Sequence, residues 1–419
     1  MRASLLNDQV HIHRFENGLV LLAEPMDWVE SAAFSWLLPA GCCYDPPGQL
    51  GLASFTCEMV QRGCGSWTSR EFVERLDNLG IVRSAGLTLA HTRFGAAMPR
   101  QRLGEALQAY SQLVQSPLLP LDQIEDAHLV GQHDIHSIQD APAQRLMQAL
   151  RRQHYPDPLG RSSQGTLEGI AAIGHEQVTT FHSSHYHPDG SILAVAGNIC
   201  WNDLLDQVGS LLSDWNGPAS EIPVPGEAPA EDLHISHPSS QTHIGIAFDA
   251  IPYSDPDYFQ LRGAIGVLSD GMSSRLFTEV RENRGLCYAV QASCLSLKDR
   301  GSVITYAGTT SERAQETLDV TMDQLVQLGE GIEAGELERL KARIKSALIM
   351  MQESSGSRSE SVASDWYYLE RVYSLEELNR IVDDLSCQSI NRYLSDNPPA
   401  DFLVVTLGEQ PLEIPRAVS

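Results

Sequence analysis

A Pro-rich, acidic segment near the middle of the sequence separates two halves in which the predicted elements follow a similar order. Residues 216–232 contain four prolines and several acids, and Ile222 and Val224 are their only larger apolar residues. This composition is typical of a linker between domains. The similar order of elements on its two sides indicates an ancient duplication, so the chain is constrained to fold as two related domains.

Hydrophobic periodicity predicts the elements of each half. The first half has an apolar hairpin around Asn17-Gly18, further strands and amphipathic helices, and the second half has strands near 242–248, 302–308 and 402–407 among helices. We therefore predict an α+β fold of two related domains, each a mixed, mostly antiparallel sheet with helices packed on one face. The expected boundaries are residues 1–217 for the N-terminal domain, 218–232 for the linker and 233–419 for the C-terminal domain.

Composition and charge exclude several classes of protein. The 419 residues are 42% hydrophobic and 20% charged, which is ordinary for a chain that forms two or more domains. The net charge of −25 argues against binding nucleic acid, because the phosphates would be repelled. No apolar run reaches membrane-spanning length, and polar residues follow the N-terminus before a signal-peptide core could form. The eight cysteines lack zinc-ribbon spacing and are interpreted as reduced thiols, so we expect a cytoplasmic protein that does not bind membranes.

Residues Gly271–Val290 are predicted to form a helix followed by a strand, with Gly285 ending the helix. This places Arg281 on the last turn of the helix and Tyr288 early in the strand. A reversal between them can bring both hydrogen-bond donors to one side of a cleft, where they could hold a peptide carbonyl or a developing oxyanion. Alternatively, Arg281 pairs with a neighbouring glutamate on a solvated face and Tyr288 packs in the sheet.

These features resemble the pitrilysin/insulinase family of zinc metallopeptidases. In that family a Ser-Arg-Leu-Phe helix is followed by an Arg and a Tyr at the spacing of Arg281 and Tyr288, and the pair contacts the substrate beside the scissile bond. The first half carries further pieces of the family pattern in the right order. They are the Asn17-Gly18 hairpin, Gly51-Leu-Ala after a strand, Pro158-Leu-Gly160 with Gly165-Thr, and Tyr186-His-Pro with Ala194-Val-Ala-Gly197. The resemblance implies the fold predicted above and a clam-like dimer.

The zinc-binding motif of that family is degenerate in this sequence. Catalytic members carry His-x-x-Glu-His directly after Gly-Leu-Ala, because two histidines four apart share one helix face and can bind zinc, while the Glu activates a bound water. Here Ser54, Cys57 and Glu58 replace the first His, the general base and the second His, and the distal ligand falls near Asp134. Cys57 and Glu58 point about 100° apart on a helix, so they cannot grip one ion as an i, i+4 pair would. We expect no metal in this chain and no catalysis by the chain alone.

The resemblance implies a chain that has lost its zinc ligands but kept the substrate-contacting pair. Family members in bacteria and mitochondria work as pairs, in which one chain carries zinc and the other lines the chamber. We therefore predict the non-catalytic subunit of a heterodimeric zinc metallopeptidase, which supplies Arg281 and Tyr288 to a zinc-bearing homologous partner. The substrate would be a peptide or an unfolded polypeptide. Two alternatives stay open: a structural scaffold subunit, like the core proteins of the respiratory bc complex, and a self-associating peptide-binding protein.

Other polar residues are interpreted as structural. The densest histidine cluster has no Cys or acidic ligand pattern beside it, and its members are His182, His185 and His187. His133 and His136 are three apart on a predicted helix and are interpreted as residues of its polar face. A nucleophile-base pair of Ser54 and His91 is disfavoured, because the sequence lacks the strained turn of such a site.

Overall fold

The computed structural model of the protein describes residues 10–217 and 222–415, so residues 218–221 of the predicted linker and both chain ends lie outside the described residues. The described part of the first half contains β1 (His11–Arg14), β2 (Val20–Pro25), β3 (Ser31–Leu38), α1 (Leu52–Val60), β4 (Gly63–Cys64), β5 (Trp67–Thr68), α2 (Ser69–Asn78), β6 (Val82–Leu87), β7 (Thr92–Pro99), α3 (Leu103–Gln115), α4 (Ile124–Gln139), α5 (Pro142–His154), α6 (Leu167–Ala171), α7 (His175–His185), β8 (Ile192–Gly197) and α8 (Trp201–Leu212). The described part of the second half contains β9 (Leu233–Ser236), β10 (Gln241–Ala250), α9 (Tyr258–Ser269), a π-helical segment (Phe277–Asn283), β11 (Cys287–Ser296), β12 (Gly301–Thr310), α10 (Ala314–Leu328), α11 (Ala334–Met351), α12 (Ser355–Leu369), α13 (Leu375–Asp384), α14 (Cys387–Asp396) and β13 (Leu403–Gly408).

The chain divides into two compact units, and neither is continuous in sequence. The first unit comprises residues up to Ser137, Arg161–Val224 and Ile349–Leu375. The second unit comprises Ile138–Gly160, Pro225–Leu348 and the residues from Glu376 onward. The first unit therefore includes a segment from the second half of the chain, and the second unit includes one from the first half. The sequence-based boundaries at 217 and 233 assign each of these two segments to the other domain.

The first unit is built on a six-stranded sheet in the order β1-β2-β8-β3-β7-β6. The β2–β8 pair is parallel and the other pairs are antiparallel. The predicted Asn17-Gly18 hairpin joins β1 to β2, and Gly18 adopts a φ of 92° that other residues disfavour. Strand β6 forms one edge of the sheet, and its first four residues are exposed.

One face of this sheet packs against helices to form the main core of the unit. Phe34 and Trp36 of β3 are fully buried, and the ring of Phe34 lies 5.0 Å from that of Tyr110 on α3 in an edge-on contact. The ring of Trp36 lies 5.8 Å from that of Trp215. These aromatic contacts stabilise the layer of helices against the sheet.

The opposite face of the first sheet is covered by α12. Val362 and Ala363 of this helix pack in one buried cluster with Leu22 and Ile192 of the sheet. The Arg358 side chain on α12 is only 1% exposed, and its guanidinium donates hydrogen bonds of 2.7–3.0 Å to both carboxylate oxygens of Glu24. Breaking such a buried ion pair costs about 3–5 kcal/mol, so α12 is an integral part of the first unit.

The second unit is built on a five-stranded sheet in the order β11-β12-β10-β13-β9, in which β13–β9 is the parallel pair. Strand β10 alternates between two cores. Ile244, Ile246 and Phe248 belong to the core formed with α9, α10 and α14, and Ala247 faces a smaller cluster on the opposite side. In that smaller cluster Leu146 and Leu150 of α5 are fully buried against the strands. The Tyr155 hydroxyl, directly after α5, hydrogen-bonds to Ser302 of β12.

The α+β prediction of two mixed, mostly antiparallel sheets is confirmed. The structure adds one helix on the second face of each sheet, α12 in the first unit and α5 in the second. Within the described ranges, no helix is both long enough and apolar enough to traverse a bilayer.

Candidate functional site

Helix α1 carries three of the predicted site residues, and its N-terminus is fixed by a carboxylate from the preceding loop. Gly51 precedes the helix with a φ of 106°, and a Cβ there would lie 2.8 Å from the carbonyl oxygen of Gln164. The Asp45 carboxylate accepts hydrogen bonds from the N–H groups of Gly51 at 2.7 Å and Ala53 at 2.8 Å. Asp45 thus binds the free N–H groups at the positive end of the helix, as a capping residue does.

Asp45 is buried, and burial is the main influence on the pKa of its carboxyl group. Burial raises the pKa of Asp45 to about 6, although its two backbone hydrogen bonds and the nearby charge of Arg161 oppose the rise. Arg161 donates to the Asp45 carbonyl oxygen at 2.6 Å and to the Cys43 carbonyl oxygen at 3.3 Å, so it holds the same loop. The loop before α1 is therefore a connected polar support for that helix.

The side chains of α1 at the degenerate positions differ in environment. Cys57 is buried, and burial together with the charge of Glu58 raises the pKa of its thiol to about 12. Glu58 is partly exposed, and its Oε1 lies 2.9 Å from the Arg62 guanidinium one turn later. Arg62 also donates to Gln123 Oε1 at 3.3 Å. Cys57 therefore stays a neutral thiol near pH 7, and Glu58 is held in an ion pair.

The four degenerate positions line one cavity. Ser54, Cys57 and Glu58 line it from α1, and Asp134 lines it from α4. The cavity has a volume of about 410 Å³, and edge strand β6 contributes Ala85, Gly86 and Leu87 to its wall. The structure thus brings together the residues that the sequence analysis placed at one site.

Arg281 lies in the π-helical segment of the second unit, and its side chain is exposed. Its guanidinium carbon lies 5.0 Å from the centre of the Phe277 ring, one turn earlier, in a cation–π contact. Within the described parts of the chain Arg281 forms no ion pair with a neighbouring glutamate, and Glu279 instead accepts a hydrogen bond from Asn283 at 3.1 Å. The ion pair considered as an alternative for Arg281 is thus not formed among the described residues.

Tyr288 sits at a β-bulge in edge strand β11. Cys287 pairs with Thr309 and Ala289 pairs with Gly308, so Tyr288 is the additional residue between them. A bulge re-aims one side chain, and Tyr288 is 48% exposed. Its phenol lies over Gly308, where a Cβ would be 2.5 Å from the Tyr288 hydroxyl. The glycine thus leaves room for this orientation of the ring.

A chain of hydrogen bonds supports the Tyr288 hydroxyl from below. It donates to Gln241 Oε1 at 3.3 Å and lies 3.4 Å from the Tyr306 hydroxyl. The Tyr306 hydroxyl in turn lies 2.8 Å from Nδ1 of His243, which is buried in β10. Burial lowers the pKa of His243 and raises that of Tyr306, so both groups are neutral near pH 7. If His243 Nδ1 donates to Tyr306, and Tyr306 to Tyr288, the proton of the Tyr288 hydroxyl is left for Gln241 Oε1 or for an oxygen of a bound substrate.

Two sequence models of one peptidase family match most of the chain. A model described as insulinase (peptidase family M16) matches residues 26–167, and one described as peptidase M16 inactive domain matches residues 172–344. The chain belongs to the pitrilysin/insulinase family of peptidases.

Full-length relatives of this family member include proteins described as uncharacterized zinc proteases. One from Rickettsia bellii is 24% identical over 398 residues, which are 94% of this chain and 97% of the relative. YmxG from Bacillus subtilis is 25% identical over 381 residues, covering 90% of this chain and 92% of the relative.

Solved structures share the fold over nearly the whole chain. A peptidase M16 inactive domain from Pseudomonas fluorescens has a TM-score of 0.88 at 21% identity, covering 97% of this chain and all of that chain. A protease from Helicobacter pylori has a TM-score of 0.86 at 18% identity, covering 96% and 100%. A chain of complex III2 from Candida albicans has a TM-score of 0.81 at 15% identity, covering 96% of each chain.

The zinc ion of catalytic members of the pitrilysin/insulinase family does not fit the residues of the α1 cavity. To bind zinc, the Cys57 thiol would have to lose its proton, which its raised pKa opposes. Glu58 would have to break its ion pair with Arg62, whose positive charge would repel the metal ion. Across residues 10–217 and 222–415, no three His, Cys, Asp or Glu side chains converge as a metal site would require. The residues of the α1 cavity are therefore not suited to hold the zinc of catalytic members.

The other histidines considered in the sequence analysis either make packing contacts or lie on the surface. His182 Nε2 hydrogen-bonds to the Val114 carbonyl oxygen at 2.9 Å, and His185 stacks against Tyr44 at 4.7 Å between ring centres. Burial lowers the pKa of His185 to about 4. Of the other members of these sets, His187 is buried and His133 and His136 are exposed. The ring of His91 packs edge-on against that of Tyr367.

Four features of the site lie outside the reach of the sequence analysis: Asp45, His243, Tyr306 and strand β6. Asp45 stands in an Asp-Pro-Pro-Gly loop six residues before Gly51, so no helix-capping spacing points to it. His243 and Tyr306 come together only through the pairing of β10 with β12. Polar and apolar residues alternate in both strands, and this pattern predicts the two strands. It identifies which residues lie next to each other across the strands only when the register of pairing is known.

Proposed function

We propose that this chain is the non-catalytic subunit of a heterodimeric zinc metallopeptidase of the pitrilysin/insulinase family. A homologous partner chain carries the zinc and the general base. This chain supplies half of the chamber, together with the guanidinium of Arg281 and the phenol of Tyr288, which bind the carbonyl of the peptide bond being cut. We further propose a cytoplasmic location, which is in keeping with eight free cysteines, five of them buried.

The observation that carries this proposal is the contrast between the two candidate sites. The metal-binding positions on α1 have lost their imidazoles and hold a neutral thiol and an ion pair. Both donor residues are retained: within the described residues Arg281 is exposed without an ion pair, and Tyr288 is exposed at a bulge and supported by Tyr306. Supported, outward-facing donors stabilise negative charge on a substrate oxygen, and they have no evident use in a purely structural chain.

Strand β6 supports a role in binding peptides. It is the edge of the first sheet, its first four residues are exposed, and three of its residues line the cavity beside α1. An edge strand offers unpaired N–H and C=O groups to an extended peptide, which can add to the sheet as a further strand. The main-chain bonds would give affinity with little dependence on sequence.

A second candidate is a structural scaffold subunit without a proteolytic role. It is favoured by the shared fold with a chain of complex III2 from Candida albicans. That likeness is one of fold alone, and it does not account for the exposed donors at Arg281 and Tyr288. Size-exclusion chromatography separates the two candidates, because a scaffold co-purifies with a large assembly and a peptidase subunit with one chain of similar mass.

The decisive experiment is reconstitution with a homologous chain that bears an intact His-x-x-Glu-His. We expect the mixture to cleave unstructured peptides that neither chain cleaves alone. Arg281→Ala and Tyr288→Phe should each lower kcat by about 10- to 1000-fold while the two chains still associate, since each removes a donor to the developing oxyanion. Arg284→Ala, an exposed neighbour on the same segment, is the matched control. Unchanged turnover in both site variants would refute the assigned roles, and proteolysis by this chain alone would refute the proposal.

The third candidate is a self-associating peptide-binding protein that performs no catalysis. Its test uses the purified chain alone. Peptide binding by a homodimer, with no gain of proteolysis when the zinc-bearing homologue is added, would favour this candidate over a two-chain peptidase.

A further inference from the structure

A second cavity adjoins the degenerate metal site in the first unit. It has a volume of about 530 Å³ and shares Glu58, Gln61 and Ala85 with the cavity described above. Its remaining wall includes Arg62 from the end of α1, Arg83 from β6 and Tyr110 from α3. It therefore lies alongside the edge strand on which a peptide would add.

The charge of this cavity is opposite in sign to that of the whole chain. The protein carries a net charge of −25, whereas the ionisable lining consists of two arginines and one glutamate, with neutral Tyr110. Burial raises the pKa of Tyr110 to about 12, so its hydroxyl remains protonated and can donate. Glu58 is engaged with Arg62 at 2.9 Å, and that pair neutralises itself. The charge left over belongs to Arg83.

Arg83 is exposed, and its guanidinium has no counter-charge among the residues that the structure describes. Among residues 10–217 and 222–415, no carboxylate lies within ion-pair distance of it. The cavity wall around it also includes Ser69 and Tyr110, whose side chains carry hydroxyl donors. A planar guanidinium with further donors nearby matches the two oxygens of a carboxylate.

We propose that this cavity binds a carboxylate carried by the peptide that pairs with β6, and that Arg83 is the residue that selects it. The proposal rests on the proposed function in one respect, namely that the chain binds extended peptides. The carboxylate can belong to a Glu or Asp side chain of the peptide or to its C-terminus. The chain thereby gains a preference for acidic peptide segments at this point, although its overall charge attracts basic ones.

The test measures binding of short peptides to the purified full-length chain. The probes are octapeptides of alanine and threonine that carry an uncharged dye, observed by fluorescence anisotropy. Three have blocked ends and a central Glu, Gln or Lys, and the fourth has a central Gln and a free C-terminal carboxylate. The proteins are the natural chain, Arg83→Gln and the control Arg70→Gln. Arg70 is 88% exposed on α2, pairs with Glu74 and lies outside the cavity wall, so its substitution changes the net charge equally.

We expect the Glu peptide to bind about five- to tenfold more tightly than the Gln peptide, with the Lys peptide weakest, in low salt. Arg83→Gln should abolish the difference between Glu and Gln, and Arg70→Gln should keep it. Added salt should weaken the Glu peptide most. If the peptide with a free C-terminus matches or exceeds the Glu peptide and loses that advantage in Arg83→Gln, the carboxylate is the terminal one.

Three results would overturn the inference, and the first two leave the proposed function intact. If all four peptides bind the natural chain equally, the cavity does not select a carboxylate, while peptide binding stands. A Glu preference that survives in Arg83→Gln assigns the selection to another residue. If no peptide binds at all, the peptide-binding part of the proposed function fails together with this inference.

Discussion

Glu58 replaces a metal-binding imidazole and has acquired a different partner. In place of a cation it faces the Arg62 guanidinium at 2.9 Å, four residues later on the same helix. A single side chain thus changes the site from one that attracts a metal ion to one that contains an internal ion pair. The neighbouring Cys57 is consistent with this change, because a thiol with a pKa of about 12 is a poor metal ligand near neutral pH.

Restoring the motif tests whether the backbone of the metal site has been preserved. The variant Ser54→His, Cys57→Glu, Glu58→His and Asp134→Glu places two imidazoles on one face of α1 and a carboxylate on α4, around the same cavity. We expect it to retain about one zinc per chain after dialysis, and the natural chain to retain far less, as measured by inductively coupled plasma mass spectrometry. The natural chain dialysed with added zinc is the control. A natural chain that holds one zinc against a chelator, or a folded variant that holds none, would contradict this view of the site.

Tyr306 is expected to act through Tyr288, since its hydroxyl lies between Tyr288 and His243. Tyr306→Phe keeps the ring and removes the hydroxyl that orients the Tyr288 proton. In the reconstituted two-chain enzyme we expect kcat to fall about three- to tenfold with little change in KM. His243→Asn, which keeps an N–H donor near Nδ1, should retain more activity than His243→Leu. Tyr393→Phe, on α14 of the same unit, is the matched control, and equal kcat values for the two phenylalanine variants would refute the assignment.

At the scale of single elements, α1 depends on the loop that caps it. Asp45 supplies two hydrogen bonds to the start of this helix, and its pKa is raised to about 6 by burial. An unfolded chain releases the proton near pH 4, so between pH 4 and 6 the folded state binds the proton more tightly. Folding stability contributed by Asp45 is therefore full below pH 4 and decreases as the pH rises to 6.

Asp45→Asn removes this titration and leaves a side chain of the same size. The free energy of unfolding of the natural chain minus that of the variant should fall by on the order of 2–3 kcal/mol between pH 4 and pH 6. Urea unfolding at several pH values, followed by circular dichroism, measures this difference. The matched control is Asp77→Asn, which changes an exposed carboxylate on α2. A difference that rises with pH would mean that the pKa of Asp45 is lowered in the folded protein.

Sequence patterns predict most helices and strands because the buried apolar residues of each element recur at regular spacing. Helices α1, α2 and α3 and strands β8, β10, β12 and β13 lie where apolar spacing puts them. Strands β6 and β7 were not predicted. In β7 the buried Phe94, Ala96 and Met98 alternate with other residues, a signal that is present but short, whereas exposed β6 has no apolar face to detect. The edge strand that lines both cavities is thus the element that hydrophobic patterning reveals least.

The candidate site was predictable only in part, for a related physical reason. Ser54, Cys57 and Glu58 could be placed because helical geometry fixes their mutual positions once the helix is recognised. The bulge at Tyr288 is a property of the pairing between β11 and β12, and the sequence of one strand does not contain it. The same holds for the contact between Tyr306 and His243, which joins residues 63 positions apart.

At the scale of the whole molecule, the two units exchange segments across the linker. Helix α12 completes the first unit, and α5 completes the second. The connecting residues 222–232 are almost entirely exposed, and they include Glu227 and Glu231. We therefore expect proteases to cleave this segment readily while both units stay folded.

Limited digestion with a glutamate-specific protease tests this arrangement. We expect the first cleavage after Glu227 or Glu231, and we expect the two fragments to elute together on size-exclusion chromatography under native conditions, because each unit contains part of both fragments. They should separate only in denaturant. The variant Glu227→Gln with Glu231→Gln is the control and should resist the first cut. Fragments that separate in native buffer would show that α12 and α5 are dispensable for their units.

The location of Arg358 has a consequence for how this protein is made. The carboxylate of Glu24 emerges from the ribosome early, but its only described guanidinium partner follows 334 residues later. Until then, one apolar face of the nascent first sheet has no cover and Glu24 has no counter-charge. The first unit can therefore close only after α12 has been synthesised, so the growing chain is a natural client for chaperones that shield exposed apolar surface.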